Sequence, residues 1–264
     1  MTRKGEEIIS RLSSNKAVEN LLQQMDDNLL PCYENNCDVV DSISTRLHCE
    51  ETAKLVANII KPSGMQPELR DVIVMGVLLH DVGKKEIPVY TLCKPEKLNA
   101  AEMELVFDHP ARGAILIREE ANKDLEKNRF FTFKDWQWDL VIALAAMHHR
   151  FKAKTEQRYS NFSTLKQLSD SNVVNSRSLL QVKTKGYGEL LAVCDVFSAI
   201  STGRPYSHKR LASENMPDPV FATDTRIKAS VIEYSVGREL NLSSMGNIAL
   251  RHLSDFIVET RLKK

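Results

Sequence analysis

Residues 78–88 of the chain read Leu-Leu-His-Asp-Val-Gly-Lys-Lys-Glu-Ile-Pro. The residues just before them, 72–79, are apolar nearly all round, which is typical of a buried helix. Such a helix would carry the adjacent polar pair His80-Asp81 at its end. An isolated buried carboxylate is costly, so Asp81 requires a metal ion or a cationic partner there. The simpler interpretation is a helix C-terminus, with Gly83 as the cap and the two lysines facing the helix dipole.

The composition is that of an ordinary globular protein. The chain has 264 residues, of which 42% are hydrophobic and 27% are charged, and its formal net charge is +1. This length fits one large domain or one domain with appendages. No apolar stretch approaches the roughly 20 residues that a membrane span needs, and the first residues do not resemble a signal peptide. We therefore expect a cytoplasmic protein with neither a membrane nor duplex nucleic acid as a partner.

The cysteines exclude a disulfide framework. There are five, an odd number, and no two of them form a CxxC pair. This pattern predicts reduced thiols and argues against a thiolate zinc site.

Helical periodicity dominates the sequence and strand signals are few, which predicts an all-α fold. Asn99 is expected to cap a helix from Ala100 that kinks or restarts at His109-Pro110. The stretch 150–186 lacks periodicity and carries eight Lys or Arg against two acidic residues, so it is predicted to be a long basic loop or insertion. The other predicted helices cover residues 6–12, 16–30, 38–60, 67–82, 136–151, 187–200, 219–236 and 244–262.

Histidines are the main chemical signal. Five of the seven histidines, together with two aspartates, lie within or at the ends of apolar predicted helices. Imidazole and carboxylate ligands without thiolates suit Mn, Fe, Co, Ni or Zn. Seven such groups are too many for one tetrahedral centre and fit two metal ions that share a carboxylate, an arrangement that supports in-line phosphoryl displacement. The seven residues are His48, His80, Asp81, His109, His148, His149 and Asp195; His208 and His252 are given no role.

In its order along the chain, this set resembles the HD superfamily of metal-dependent phosphohydrolases, which are all-helical. Within that superfamily it is most similar to the HD-GYP group of cyclic-dinucleotide phosphodiesterases. Three stretches carry the likeness: residues 80–98, 102–113 and 192–206. The resemblance spans about residues 44–210. It implies an N-terminal helical extension over 1–43, an HD-like domain over 44–210 with the basic insertion 150–186, and C-terminal helices over 211–264 packed on the same domain.

The resemblance also implies roles for individual residues. All seven histidines and aspartates above would be metal ligands, and Asp81 would bridge the two metals and help to hold the nucleophilic water. Lys84 would contact a substrate phosphate or assist the leaving oxygen, and Arg204 would hold a phosphate with its bidentate fork. The expected cofactors are two divalent metal ions, with Fe or Mn first and Ni, Co or Zn as alternatives. Thr45 stands where some members carry a glutamate that supports a third metal, so two are expected at most.

The sequence departs from the group after His149. A short loop ending in Gly-Tyr-Pro is usual there, whereas this chain reads Arg150-Phe151-Lys152-Ala153-Lys154. This departure leaves three functions open. The first is a phosphodiesterase that hydrolyses a cyclic dinucleotide, with cyclic di-GMP as the first candidate. The second is a metal-dependent hydrolase of a nucleotide or another phosphomonoester, and the third is a catalytically silent module that binds a nucleotide or a partner. A homodimer or a signalling protein partner is also left open.

Overall fold

The computed structural model describes residues 3–27, 45–60, 64–92, 94, 97–126, 133–150, 162–201, 240 and 242–262. These residues form helices and no β-strand, which confirms the all-α prediction. A 3₁₀ helix covers Val82–Glu86. The α-helices are α1 (Arg3–Ser13), α2 (Lys16–Asp27), α3 (Thr45–Ile60), α4 (Pro67–Leu78), α5 (Val89–Leu92), α6 (Ala100–Phe107), α7 (His109–Glu126), α8 (Asp135–Met147), α9 (Phe162–Asp170), α10 (Ser176–Thr184), α11 (Tyr187–Ser201) and α12 (Ser244–Leu262). None of these helices is both long enough and apolar enough to span a membrane.

The centre of the fold is the pair α4 and α8. Both helices are apolar on nearly every side, so α4 is buried from Val72 to Leu78 and α8 from Gln137 to Met147. Gly76 allows the two helices to approach closely, because a Cβ atom at this position would lie 2.5 Å from Cδ1 of Leu144. Helices α3 and α7 flank this pair.

The helices near both ends of the chain belong to the same packed body. The apolar faces of α1 and α2 enter the main core, with Leu12, Leu21 and Leu22 fully buried. Helix α2 also packs against the 3₁₀ helix, where Lys85 Nζ lies 2.5 Å from Gln24 Oε1. At the other end, α12 packs on α11 and α3 around a second apolar cluster. Buried Glu189 accepts hydrogen bonds from the backbone N–H and the hydroxyl of the residue before α12, which fixes its start.

Helix α4 ends at Leu78, four residues earlier than the sequence predicted. The pair His80-Asp81 therefore lies in a turn between α4 and the 3₁₀ helix. The prediction that Gly83 caps a helix is wrong, because Gly83 lies inside the 3₁₀ helix. A Cβ atom on Gly83 would overlap the carbonyl oxygen of His109 and lie 2.5 Å from Gly113 N. Glycine is thus required here by a backbone-to-backbone contact with α7.

The predicted start and break around residues 99–110 are confirmed. The side chain of Asn99 accepts a hydrogen bond from Glu102 N at 2.9 Å, and the Glu102 carboxylate accepts one from Asn99 N at 2.8 Å. Helix α6 ends at Phe107, and α7 begins at His109 with the proline in its first turn. Proline lacks a backbone N–H, but N–H groups in the first turn have no acceptor within the helix, so no hydrogen bond is lost.

The prediction of a loop at 150–186 is wrong for two segments of this stretch. Residues 162–170 and 176–184 form α9 and α10, and Leu165, Leu168 and Val182 bury apolar side chains against the core. Residues 151–161 lie outside the described part of the chain, as do residues 28–44 and 202–239, which include the start of the predicted helix 38–60, the predicted helix 219–236 and Arg204. The helices predicted at 187–200 and 244–262 are confirmed.

Candidate metal centre

The fold brings all seven predicted histidines and aspartates to one place. His48 lies on α3 and Asp195 on α11, while His80 and Asp81 follow α4. His109 begins α7, and His148-His149 follow α8. All seven side chains are buried. The elements that meet here include the central helices of the core, so the polar cluster lies inside the packed body of the protein.

The candidate ligand atoms divide into two groups. The first, called here the His109 group, contains Asp81, His109, His148 and His149. The second, called here the His48 group, contains His48, His80 and Asp195. Within each group the ligand atoms lie within 4.8 Å of one another, close enough for one metal ion to contact them all.

Asp81 stands between the two groups and turns one oxygen to each. Its Oδ1 lies 3.1 Å from His109 Nε2 and 3.5 Å from His148 Nε2. Its Oδ2 lies 3.5 Å from His80 Nε2 and 3.9 Å from His48 Nε2. A carboxylate with this placement can contact two cations at once.

Three of the histidine rings are fixed by backbone carbonyls. Nδ1 of His80 donates to Val77 O at 2.6 Å, and Nδ1 of His109 and of His148 donates to the carbonyl three residues earlier at 2.5 and 2.7 Å. Each carbonyl belongs to the last turn of a helix, where it lacks an intrahelical partner. A carbonyl can only accept, so Nδ1 carries a hydrogen in all three rings, and Nε2 presents a lone pair wherever the ring is neutral.

This arrangement of nitrogen and oxygen atoms is favourable around a cation and unfavourable without one. His109 Nε2 and His148 Nε2 are 3.1 Å apart, although neither neutral ring has a hydrogen to place between them. Both face Asp81 Oδ1. His80 Nε2 is buried without a hydrogen-bond partner among the described residues. Lone pairs that converge on a carboxylate repel one another, and buried polar atoms rarely stay unpaired. Nitrogen and oxygen donors in this arrangement suit a divalent transition metal.

The electrostatics differ from ring to ring. Burial would lower the pKa of His80, but nearby Cys49 and Asp81 outweigh burial and raise that pKa well above its ordinary value. Burial lowers the pKa of His109, and it lowers the pKa of His148 to about 4, so both rings are neutral near pH 7 and can offer lone pairs. For Asp81, burial alone would raise the pKa. The Lys84 ammonium and the His80 ring outweigh burial and hold that pKa well below its ordinary value, so the carboxylate is ionised. The buried centre therefore contains a fixed negative charge.

His48 is held differently from the other rings. Its Nε2 lies 3.0 Å from Asp195 Oδ1, and its Nδ1 lies 3.2 Å from the hydroxyl Oγ of Ser198. Sequence reasoning missed Ser198, which follows Asp195 by three residues on α11 and so lies on the same helix face. A hydroxyl one turn after a buried aspartate, in an otherwise apolar helix, was the available signal.

Lys84 lies between the buried centre and the surface of the protein. It lies in the 3₁₀ helix, and its Nζ is 2.5 Å from Asp81 Oδ2 while its side chain is 18% exposed. An ammonium in this place can contact an anion that approaches from solvent.

Comparisons with known proteins point in the same direction. A family model described as HD domain matches residues 45–200, a segment that contains all seven clustered residues. The chain is also similar to the cyclic di-GMP phosphodiesterase response regulator RpfG of Xanthomonas campestris pv. campestris (strain 8004), with 26% identity over 162 residues. That match covers 61% of this chain and 35% of RpfG, so the chain spans about a third of that protein's length. No solved structure matches the chain at a significant level.

Proposed function

Since the chain belongs to the HD domain family, we propose that it is a metal-dependent phosphohydrolase that cleaves a phosphodiester of a cyclic dinucleotide, with cyclic di-GMP as the first candidate. The observation that carries the proposal is the placement of Asp81, which faces the His109 group with one oxygen and the His48 group with the other. The similarity to RpfG, which is named as a cyclic di-GMP phosphodiesterase, supports this class of substrate.

In this proposal each group would hold one divalent metal ion. The His109 group would hold the first and the His48 group the second, with Asp81 as a ligand common to both. Fe or Mn is the first candidate for both ions, with Ni, Co or Zn as alternatives. When bound, a pair of this kind activates water and neutralises charge on a phosphoryl group. The protein's own contribution is to hold the ligand side chains in fixed, buried positions.

Lys84 and Arg204 are the proposed contacts to the substrate. Lys84 Nζ is next to Asp81 Oδ2 and is partly exposed, so it can contact an oxygen of the phosphate or supply a hydrogen to the leaving oxygen. An ammonium aimed at an oxygen on which charge develops stabilises the transition state more than the ground state. Arg204, which the sequence places after α11, is proposed to hold a second phosphate oxygen.

We propose that residues 44–210 form the catalytic unit, with residues 1–43 and 211–264 as extensions that pack on it. The family match over 45–200 supports these limits. So does the packing of α1, α2 and α12, which contact α3 and other helices that carry or adjoin the cluster.

Replacing Lys84 should separate catalysis from metal binding. Lys84→Met is expected to lower turnover by about 10²-fold, the usual effect of removing one group that stabilises transition-state charge. Metal content, measured by elemental analysis of the purified protein, should stay that of the parent. Lys85→Met is the matched control, because the neighbouring lysine contacts Gln24 on α2 and not Asp81. An equal loss of turnover in both variants would count against the role of Lys84.

The substrate is tested with a panel. Protein purified without oxygen and loaded with Mn or Fe should convert cyclic di-GMP to a linear product faster than it hydrolyses mononucleotides, with Asp81→Ala as the background. The missing Gly-Tyr-Pro after His149 gives the second candidate its support. Turnover of mononucleotides without cleavage of any cyclic dinucleotide would therefore establish the second function. Full metal loading without turnover of any substrate would establish a silent module.

A further inference from the structure

We propose that Ser198 is a positioning residue for His48, and that its hydroxyl holds this ring in the orientation that metal binding by the His48 group requires. The proposal rests on the proposed function in one respect, since it concerns the two metals which that function uses. The observation that carries it is a chemical difference between the hydrogen-bond partners of the histidine Nδ1 atoms. Carbonyl oxygens hold His80, His109 and His148, whereas a hydroxyl holds His48.

A hydroxyl can both donate and accept, whereas a carbonyl can only accept. Ser198 is 2% exposed, and its Oγ lies 3.2 Å from His48 Nδ1. Its orientation can therefore follow either arrangement of hydrogen on the His48 ring. None of the three carbonyl-bound rings has this freedom, because each must keep a hydrogen on Nδ1.

Without a metal, the His48 group can satisfy its own polar atoms at this ring. The Ser198 hydroxyl donates to Nδ1, and a hydrogen on Nε2 is donated to Asp195 Oδ1, which lies 3.0 Å away. With a metal, Nε2 must offer its lone pair, so the hydrogen lies on Nδ1 and the Ser198 hydroxyl rotates to accept it. The neutral ring carries one hydrogen in both states. When a metal ion binds, Nε2 releases its hydrogen to water and Nδ1 takes one up from water.

His109 and His148 are held differently. Both are bound to carbonyls through Nδ1, and their Nε2 atoms lie 3.1 Å apart beside Asp81 Oδ1. The hydrogen on Nδ1 of these two rings therefore stays in place with and without a metal ion.

Ser198 should matter more when the metal is bound than when it is absent. A ring whose Nε2 contacts a cation donates a stronger, charge-assisted hydrogen bond from Nδ1. Ser198→Ala removes the acceptor and is expected to weaken one metal position by 10- to 100-fold, the usual effect of losing the partner of a ligating histidine. Ser198→Thr keeps the hydroxyl and should restore most of the affinity. The other position should be unchanged.

The first measurement is metal content of the full chain after dialysis against a graded series of chelator concentrations. Ser198→Ala should lose one ion at a 10- to 100-fold lower chelator concentration than the parent does, while it keeps the other ion as the parent does. Ser178→Ala is the matched control, because Ser178 is a buried serine on α10 outside the cluster. Identical curves for the parent and Ser198→Ala would overturn the proposal.

The second measurement needs neither metal nor activity. Nitrogen NMR of the metal-free protein, with ¹⁵N-labelled histidine, reports which ring nitrogen carries hydrogen. His48 should carry a hydrogen on Nε2, whereas His109 and His148 should carry theirs on Nδ1 alone. A His48 ring with hydrogen on Nδ1 alone would overturn the proposal, and circular dichroism confirms that the sample is folded.

These outcomes are distinct from failure of the proposed function. If Ser198→Ala loses one metal ion more readily but the parent cleaves no cyclic dinucleotide, the substrate is contradicted and the role of Ser198 stands. If the parent cleaves cyclic di-GMP but parent and Ser198→Ala show identical chelator curves, the role of Ser198 alone is contradicted. A chain that binds no metal at all contradicts both.

Discussion

Asp81→Ala is expected to lose both metal ions and to lower hydrolysis by about 10³-fold or more, because several kcal/mol of transition-state stabilisation depend on the metal pair. The reason is the position of its carboxylate, which lies within 4 Å of Nε2 of His48, His80, His109 and His148. Removing it takes away the charge that both groups share and leaves the histidines as neutral ligands. Elemental analysis and a phosphodiesterase assay on the same preparation measure the two effects.

Two further variants show what causes the loss. Asp81→Asn keeps the shape of the side chain and removes its charge, so it should also fail to hold both ions. Asp170→Ala removes an exposed carboxylate at the end of α9 and should leave metal content and turnover as in the parent. The helical circular dichroism signal should be retained in all three proteins. Full metal occupancy in Asp81→Ala would refute the bridging role.

Gly83→Ala is expected to destabilise the fold by about 3 kcal/mol or more, at or above the upper end of the usual effect of overpacking. The new methyl group would meet His109 O and Gly113 N, which are backbone atoms and cannot rotate away. The 3₁₀ helix and the start of α7 must therefore move apart. This movement would also separate Asp81 from His109, so turnover should fall together with stability. Urea denaturation measures the first effect and the phosphodiesterase assay the second.

Gly5→Ala is the matched control for this prediction. Gly5 lies in α1, and a Cβ atom there would come no closer than 3.4 Å to a neighbour, the side-chain nitrogen of Asn58. Alanine is favoured over glycine in a helix by up to about 1 kcal/mol, so this variant should be as stable as the parent or more so. Similar stability for Gly83→Ala and the parent would show that the 3₁₀ helix and α7 are less tightly joined than the structure indicates.

The clustering of His80, Asp81 and their partners could be predicted because local sequence patterns indicate which polar groups are buried. Each ligand residue lies in or beside an apolar run, and an apolar run predicts burial wherever it packs. The break at His109-Pro110 and the cap at Asn99 are likewise local signals. What the sequence could not provide was the pairing of the groups, since the division between the two oxygens of Asp81 depends on how four helices pack.

Three features were missed because they depend on long-range contacts or on weak local patterns. Gly83 was interpreted as a cap, since its contact with α7 joins residues far apart in the chain. The helices α9 and α10 have few apolar positions, although Asn175 does cap α10 with its side chain. The polar composition of this stretch outweighed that signal. Ser198 looked like one tolerated hydroxyl in an apolar helix, and only the structure shows its contact with His48.

The carbonyls that fix three of the rings come from residues 77, 106 and 145, whose side chains take no part in those hydrogen bonds. The backbone therefore sets the direction of each ring, and substitutions at these positions that preserve the helix end should leave the hydrogen bond intact. The same arrangement could be used in designed proteins. A histidine placed one or two residues beyond the last residue of a helix, within reach of the carbonyl three positions earlier, would present its Nε2 lone pair without an added supporting side chain. Several helix ends aimed at one carboxylate would then suffice to build a metal site into a new helical bundle.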